Sequence, residues 1–230
     1  MKKQNNKLPK HIKKHVLEFY SAYKNNPLHR YKSWEDSYSY FRQLNKNPAI
    51  FKKDPEQACL RLGFYLASWG MYRASSFLLK KSLHIHKKPI KELLRREYDC
   101  LWNIDLDYQR KPETLDLLFK LKDTLTDAYL SQLKDTNGIR DTLVTKILLG
   151  TLGCTPAFDR FFKEGCKKEK VHPYSNFSRH SIKALIDFYQ GNSKTFQSIN
   201  KKIEKHSRIS YPPMKLVDMF FWTVGSNKKY

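Results

Sequence analysis

The chain has 230 residues, 40% of them hydrophobic with 14 Phe and 14 Tyr, a composition that fills a core and argues against a disordered chain. Eight glycines leave few places for tight hairpins, which disfavours an all-β fold. The formal net charge of +22 points to a polyanionic partner. The longest uncharged runs, Leu62–Tyr72 and Ile147–Phe158, fall short of the roughly 20 apolar residues needed to cross a bilayer.

Residues 1–9 (MKKQNNKLP) read as a basic, disordered arm, and six lysines stand in the first 14 residues without an acid. No apolar stretch follows, so a secretory signal is not expected and a cytoplasmic location is. From His11 the spacing of Ile12, Val16, Phe19, Tyr20 and Tyr23 predicts a helix. Ser33-Trp-Glu-Asp36 resembles a capping box opening a helix through Phe41 and Leu44. Asp54-Pro55 sets an N-cap before a first-turn proline, predicting a helix from Pro55 to about Trp69. Gly70 breaks the line, and a second helix is expected over Met71–Leu83.

Lys88-Pro89 opens a further helix with Ile90, Leu93, Leu94, Leu101 and Ile104 on one side. Residues 80–96 carry seven Lys/Arg against Glu92 alone. Charge then reverses, with nine acids against five bases over 97–136. That acidic middle should face away from a polyanion or pair with arginines. Pro112 opens a long helix in which Leu115, Leu118, Phe119, Leu125, Tyr129 and Leu133 keep a period near 3.6. A short buried helix over Asp141–Leu152 contains one charge after its first residue, Lys146. Basic amphipathic helices follow at Ser178–Gln190 and Ser193–Lys205, and a last one runs from Pro212-Pro213 to Val224. The expectation is an all-α fold of nine or ten helices, a single domain over 10–225 followed by a basic tail at 226–230.

Two stretches invite a chemical reading. In Leu62–Leu79, Trp69, Arg73, Ser75 and Ser76 are polar groups in an apolar setting and form a candidate pocket. Arg73 among aromatics can fork onto a phosphate or carboxylate, or it can join helices by pairing with an acid of 97–136. Neither serine sits in a Gly-x-Ser-x-Gly elbow, so a hydrolase nucleophile is not implied.

In Asn137–Phe162 a Gly138-Ile139 turn leads into the apolar helix, then a Gly-Cys-Thr-Pro loop, then Asp159 opening a new helix. This order resembles the helix-hairpin-helix DNA glycosylase superfamily over about 26 residues. The resemblance implies that the Gly138 hairpin holds a DNA phosphate and that Asp159 is the catalytic aspartate. The second hairpin glycine is replaced by Arg140. Asp141 and Thr142 stand where bifunctional members keep a nucleophilic lysine, and Lys146 lies one turn further on. An aspartate at a helix start stays ionised, which suits an oxocarbenium-like centre and equally suits plain capping.

Residues 160–210 carry twelve Lys/Arg against four acids, interleaved with Phe161, Phe162, Tyr174, Phe177, Phe188, Tyr189 and Phe196. Such mixing fits phosphate contacts with base stacking, and it also fits a helical core. The phosphate-contacting candidates are Gly138, Arg140, Arg160, Lys167, Lys168, Lys201, Lys202 and Lys205. His11/His15 and His84/His86 lack acidic or cysteine ligands at supporting spacing, Cys59, Cys100, Cys154 and Cys166 form no Cys-x-x-Cys, and no P-loop occurs. No metal or cofactor is therefore implied. The expected function is binding of nucleic acid, DNA rather than RNA. The alternatives are base excision centred on Asp159, with Trp69, Arg73 and Lys146 lining its pocket, and docking of an acidic protein partner.

Overall fold

Through most of the described residues, apolar side chains spaced three and four apart become helix, and those residues contain no strand. The computed structural model describes residues 7–74, 76–102, 111–133, 139–171 and 176–226. In chain order the α-helices are α1 (Lys7–Ser21), α2 (Lys32–Lys46), α3 (Ala49–Lys53), α4 (Pro55–Ser68), α5 (Lys87–Leu93) and α6 (Pro112–Leu130). They continue as α7 (Asp141–Thr151), α8 (Arg160–Lys168), α9 (Arg179–Gly191), α10 (Ser193–Ser207) and α11 (Pro213–Ser226). Short 3₁₀ segments cover Phe77–Lys80, Leu83–His86 and Arg96–Trp102. No described helix is long and apolar enough to cross a membrane.

The chain divides into two units: unit 1 holds Met1–His29 with Thr155–Tyr230, and unit 2 holds Arg30–Cys154. The sequence shows no linker at either boundary, and it predicted one domain. The Asn137–Phe162 stretch passes from unit 2 into unit 1 between Cys154 and Thr155.

Unit 1 is built around α11, twelve of whose residues are buried. A helix apolar on every side has to be enclosed, and α1, α8, α9 and α10 all pack on it. The α8–α11 pair meets backbone to backbone at two glycines. A Cβ on Gly165 would fall 1.8 Å from the Phe221 carbonyl oxygen, and one on Gly225 would fall 1.8 Å from that of Phe161. Phe161-x-x-x-Gly165 and Phe221-x-x-x-Gly225 therefore form a reciprocal seam, each glycine receiving the carbonyl of the other helix's phenylalanine. Inside this core Lys215 Nζ lies 3.5 Å from Asp218 Oδ2 and 5.0 Å from the centre of the Phe19 ring. Asp218 Oδ1 accepts the Ala157 N–H at 3.1 Å, which ties α11 to the loop before α8.

In unit 2, α2, α4 and α7 share a core. Trp34 Nε1–H donates to the Leu149 carbonyl at 2.9 Å, and the Ser37 hydroxyl donates to that of Gly150 at 2.8 Å. Gly150 presses on the Tyr65 ring, where a Cβ would come within 2.1 Å of a ring carbon. Gly153 at φ 71° ends α7, its N–H returning to the Leu148 carbonyl at 2.8 Å.

Several expected elements differ. Lys7–Pro9, assigned by sequence to the arm, form the first turn of α1. The capping box does not form: α2 begins two residues early, Tyr31 at its N-cap makes no side-chain cap, and Ser33 is buried in the first turn. The Met71–Leu83 helix is replaced by a loop and 3₁₀ segments, because Gly70 (φ 75°) and Ala74 (φ 49°) both turn left-handed. The Lys88 helix stops at Leu93 and passes into the 3₁₀ segment that carries Leu101, while Ile104 lies outside the described residues.

Candidate functional site

Asp159 occupies the position its sequence context implied. It is the N-cap of α8, with Oδ1 accepting the Phe162 N–H at 3.0 Å, after a loop buried from Leu152 to Phe158. It belongs to unit 1, whereas Trp69, Arg73, Ser76 and Lys146 belong to unit 2. Ser75 and Gly138 lie outside the described residues.

In unit 2 the structure brings Trp69 and Lys146 together. Lys146, 4% exposed on α7, places Nζ 5.5 Å from the centre of the Trp69 ring. Tyr31 stacks on that indole at 4.8 Å, and the Arg30 guanidinium carbon stands 5.8 Å from its centre. Arg30 is anchored by donating to the Ser68 carbonyl at 2.8 Å, at the end of α4. The Arg73 side chain folds back on Gly70, its guanidinium carbon 3.4 Å from where a Gly70 Cβ would stand. Arg73 does not join helices by pairing with an acid among the described residues. Ser76 caps the Phe77–Lys80 segment, its hydroxyl accepting the Leu78 N–H at 3.3 Å.

Sequence reasoning set His86 aside together with His84 and missed its role. His86 is fully buried, with Nε2 2.6 Å from the Tyr72 hydroxyl and Nδ1 2.7 Å from that of Tyr129. Burial holds its pKa down to about 4, so the ring is neutral, and it pushes the Tyr72 hydroxyl up to about 12. A neutral ring donates once and accepts once, so one tyrosine donates to it and the other accepts from it. The chain fixes Tyr72, and with it the Trp69–Arg73 loop, to α6. Two apolar-flanked histidines at one-residue spacing gave only a faint hint of this, since one side of a 3₁₀ turn faces inward and the other outward.

Among the described residues no group of three or more His, Cys, Asp or Glu is placed to hold a metal ion. Burial raises the thiols of Cys59, to about 11, and Cys154, to about 12, which suits core packing rather than nucleophilic chemistry.

The charged surface differs between the units. Unit 1 carries 22 Lys and Arg against 7 Asp and Glu, and unit 2 carries 22 against 15. In unit 2 the basic 80–96 segment meets the acidic one: Arg95 pairs with Glu92 and Glu97, Arg96 with Asp99, and Lys120 closes on Glu97 at 2.7 Å. In unit 1, α1 and α10 pack side by side. Lys7, Lys10, Lys13 and Lys14 on α1, and Lys194, Lys201, Lys202 and Lys205 on α10, are all exposed and have no carboxylate partner among the described residues. Lys194, Lys201 and Lys205 recur at seven and four residues, opposite the buried Phe196, Ile199 and Ile203.

The other phosphate candidates scatter. Lys168 donates to the Val224 carbonyl at 3.2 Å at the end of α11, Lys167 lies exposed beside it, and Arg160 covers the Phe161 ring at 4.8 Å. Arg140 is exposed just before α7 in unit 2. Most of the interleaved aromatics among the described residues turn inward. Phe162, Phe177, Tyr189 and Phe196 are buried, while Phe161 packs on Trp222 and Phe188 on Phe220 and Phe221. Tyr174 lies outside the described residues. The apolar area of these rings is worth more inside the core than on a surface awaiting a base.

Compared with known proteins, the chain matches no family model, and no curated protein or solved structure shows significant similarity to it.

Proposed function

We propose that the protein binds nucleic acid through the lysine-rich face shared by α1 and α10 of unit 1, DNA being the form expected from the hairpin-like 137–162 stretch. The observation that carries this reading is the eight exposed lysines on two adjacent helices with no carboxylate partner among the described residues. Like charges gathered with few counter-charges repel one another, and a polyanion relieves that repulsion while releasing its own counterions. The Lys194–Lys205 row rises about 16 Å along α10, over which one DNA strand offers about five phosphates.

The test is duplex and single-stranded DNA binding by fluorescence anisotropy across a salt series. The wild-type affinity should fall steeply between about 50 and about 300 mM salt, and replacing Lys201, Lys202 and Lys205 with Gln should weaken binding. Absence of binding, salt-independent binding, or an unchanged triple variant would overturn the reading.

A second reading, base excision, draws on the place of Asp159 at a helix start behind a buried loop whose Ala157 N–H is held by Asp218. Asp159→Asn separates charge from capping, because asparagine caps as well as aspartate. On a panel of damaged-base duplexes, a catalytic carboxylate predicts loss of about a hundredfold or more in rate, with little change in stability. Full activity in the variant removes the enzymatic reading and leaves the cap.

A further inference from the structure

Unit 2 holds a second gathering of cations, remote in sequence from the lysine rows of α1 and α10 and built differently. Its members come from three places in the sequence: Arg30 before α2, Arg73 after α4, and Lys146 within α7. Arg30 and Lys146 border the Trp69 ring, 5.8 and 5.5 Å from the indole centre, and the Arg73 guanidinium borders Gly70, the next residue. Neither Arg30 nor Arg73, both exposed, has an ion-pair partner among the described residues.

Hydrogen bonds and ring contacts tie the residues beside the cations to the core. Tyr72, immediately before Arg73, is fastened to His86 at 2.6 Å, and His86 in turn to Tyr129 at 2.7 Å. Ala74, immediately after it, is held at φ 49°, a conformation that an L-residue adopts only when its surroundings impose it. Trp69 is stacked by Tyr31, and Arg30 is fixed by the Ser68 carbonyl. Two guanidinium forks and a nearly buried ammonium, set on an aromatic base, suit a compact oxyanion with several acceptor oxygens. A phosphate group meets that description, because it offers a separate oxygen to each donor.

We infer that Arg30, Arg73 and Lys146 form a phosphate-binding subsite in unit 2 that takes the phosphate of a nucleotide. The subsite does not depend on the α1–α10 face. A free nucleotide and the 5′-phosphorylated end of a strand present the same phosphomonoester, so both belong in the test.

The experiment is calorimetric titration of the full chain at low salt with dAMP, deoxyadenosine, and a thymidine decamer with and without a 5′-phosphate. The subsite predicts binding of dAMP but not of deoxyadenosine. If the strand end is the ligand, the phosphorylated decamer binds more tightly than the unphosphorylated one; if the two decamers bind alike, the free nucleotide is. Arg30→Ala and Arg73→Ala, both at exposed positions, should each weaken dAMP binding by about tenfold, and Arg73→Lys should recover only part of it. The Lys201, Lys202, Lys205 to Gln variant should bind dAMP as the wild type does. Equal binding of dAMP and deoxyadenosine, no binding of dAMP, or full affinity in both arginine variants would overturn the subsite. Loss of dAMP binding in the α10 variant alone would move the phosphate to α10. DNA binding by the wild type that persists while dAMP fails to bind would sink this inference and leave the α1–α10 reading standing.

Discussion

At the scale of single residues, His86 is a titratable group taken almost wholly out of water. Its two ring nitrogens are taken by Tyr72 and Tyr129, and burial lowers its pKa from 6.5 to about 4. A depressed pKa means that the folded state refuses a proton which the unfolded chain accepts. Stability from this group is therefore whole above pH about 6.5 and is lost as pH falls towards about 4. The full loss is on the order of 3 kcal/mol. Urea unfolding followed by circular dichroism at several pH values should show the decline over that window, and His86→Phe should flatten it while lowering stability at neutral pH. A wild-type stability that stays level from pH 7 to pH 4 would contradict the assignment. Asp159 teaches the opposite lesson about legibility. Its helix-start position followed from local sequence, because capping is decided by the residue and its next three neighbours.

At the scale of elements, the α8–α11 seam is the clearest case of geometry that composition could not announce. Gly165 and Gly225 each receive a carbonyl oxygen where a methyl group would stand, 1.8 Å away in both cases. An alanine at either position must push two backbones apart, since no side chain can rotate to make room. Gly165→Ala or Gly225→Ala should destabilise by about 2–4 kcal/mol, at or above the upper range for overpacking, with thermal unfolding as the measurement. Gly191→Ala is the control, because nothing lies within 4 Å of its Cβ position. That change should be neutral or slightly stabilising, glycine being the poorer helix former. Helix boundaries followed the sequence well where proline or an N-cap marked them, as at Asp54-Pro55, Pro112 and Pro213. They failed at Met71–Leu83, where apolar residues at mixed spacing met two left-handed turns. A non-glycine residue in that conformation leaves no mark in the sequence.

At the scale of the whole molecule, net charge proved less informative than its distribution. Unit 2 neutralises much of its own charge through pairs such as Lys120–Glu97 and Arg95–Glu97, whereas the α1 and α10 lysines of unit 1 have no such partners among the described residues. Exposed ion pairs like these are worth less than about 1 kcal/mol each, so their importance is for the external field rather than for stability. The proposed DNA contact then carries a quantitative signature. Each α10 lysine that truly touches a phosphate should contribute about 0.9 to the slope of log affinity against log salt, so the triple Gln variant should flatten that slope by about two to three.

The sequence by itself determined the helical class, most helix starts and the surplus of positive charge. Each of these depends on residue type or on spacing within one or two turns. Only the tertiary structure decided the rest: the division into two units, the glycine seam, the Tyr72–His86–Tyr129 chain, the burial of the C-terminal aromatics and the meeting of Arg30, Trp69 and Lys146. These are contacts between residues far apart in sequence, and no local pattern encodes which distant backbone will supply the carbonyl, hydroxyl or ring.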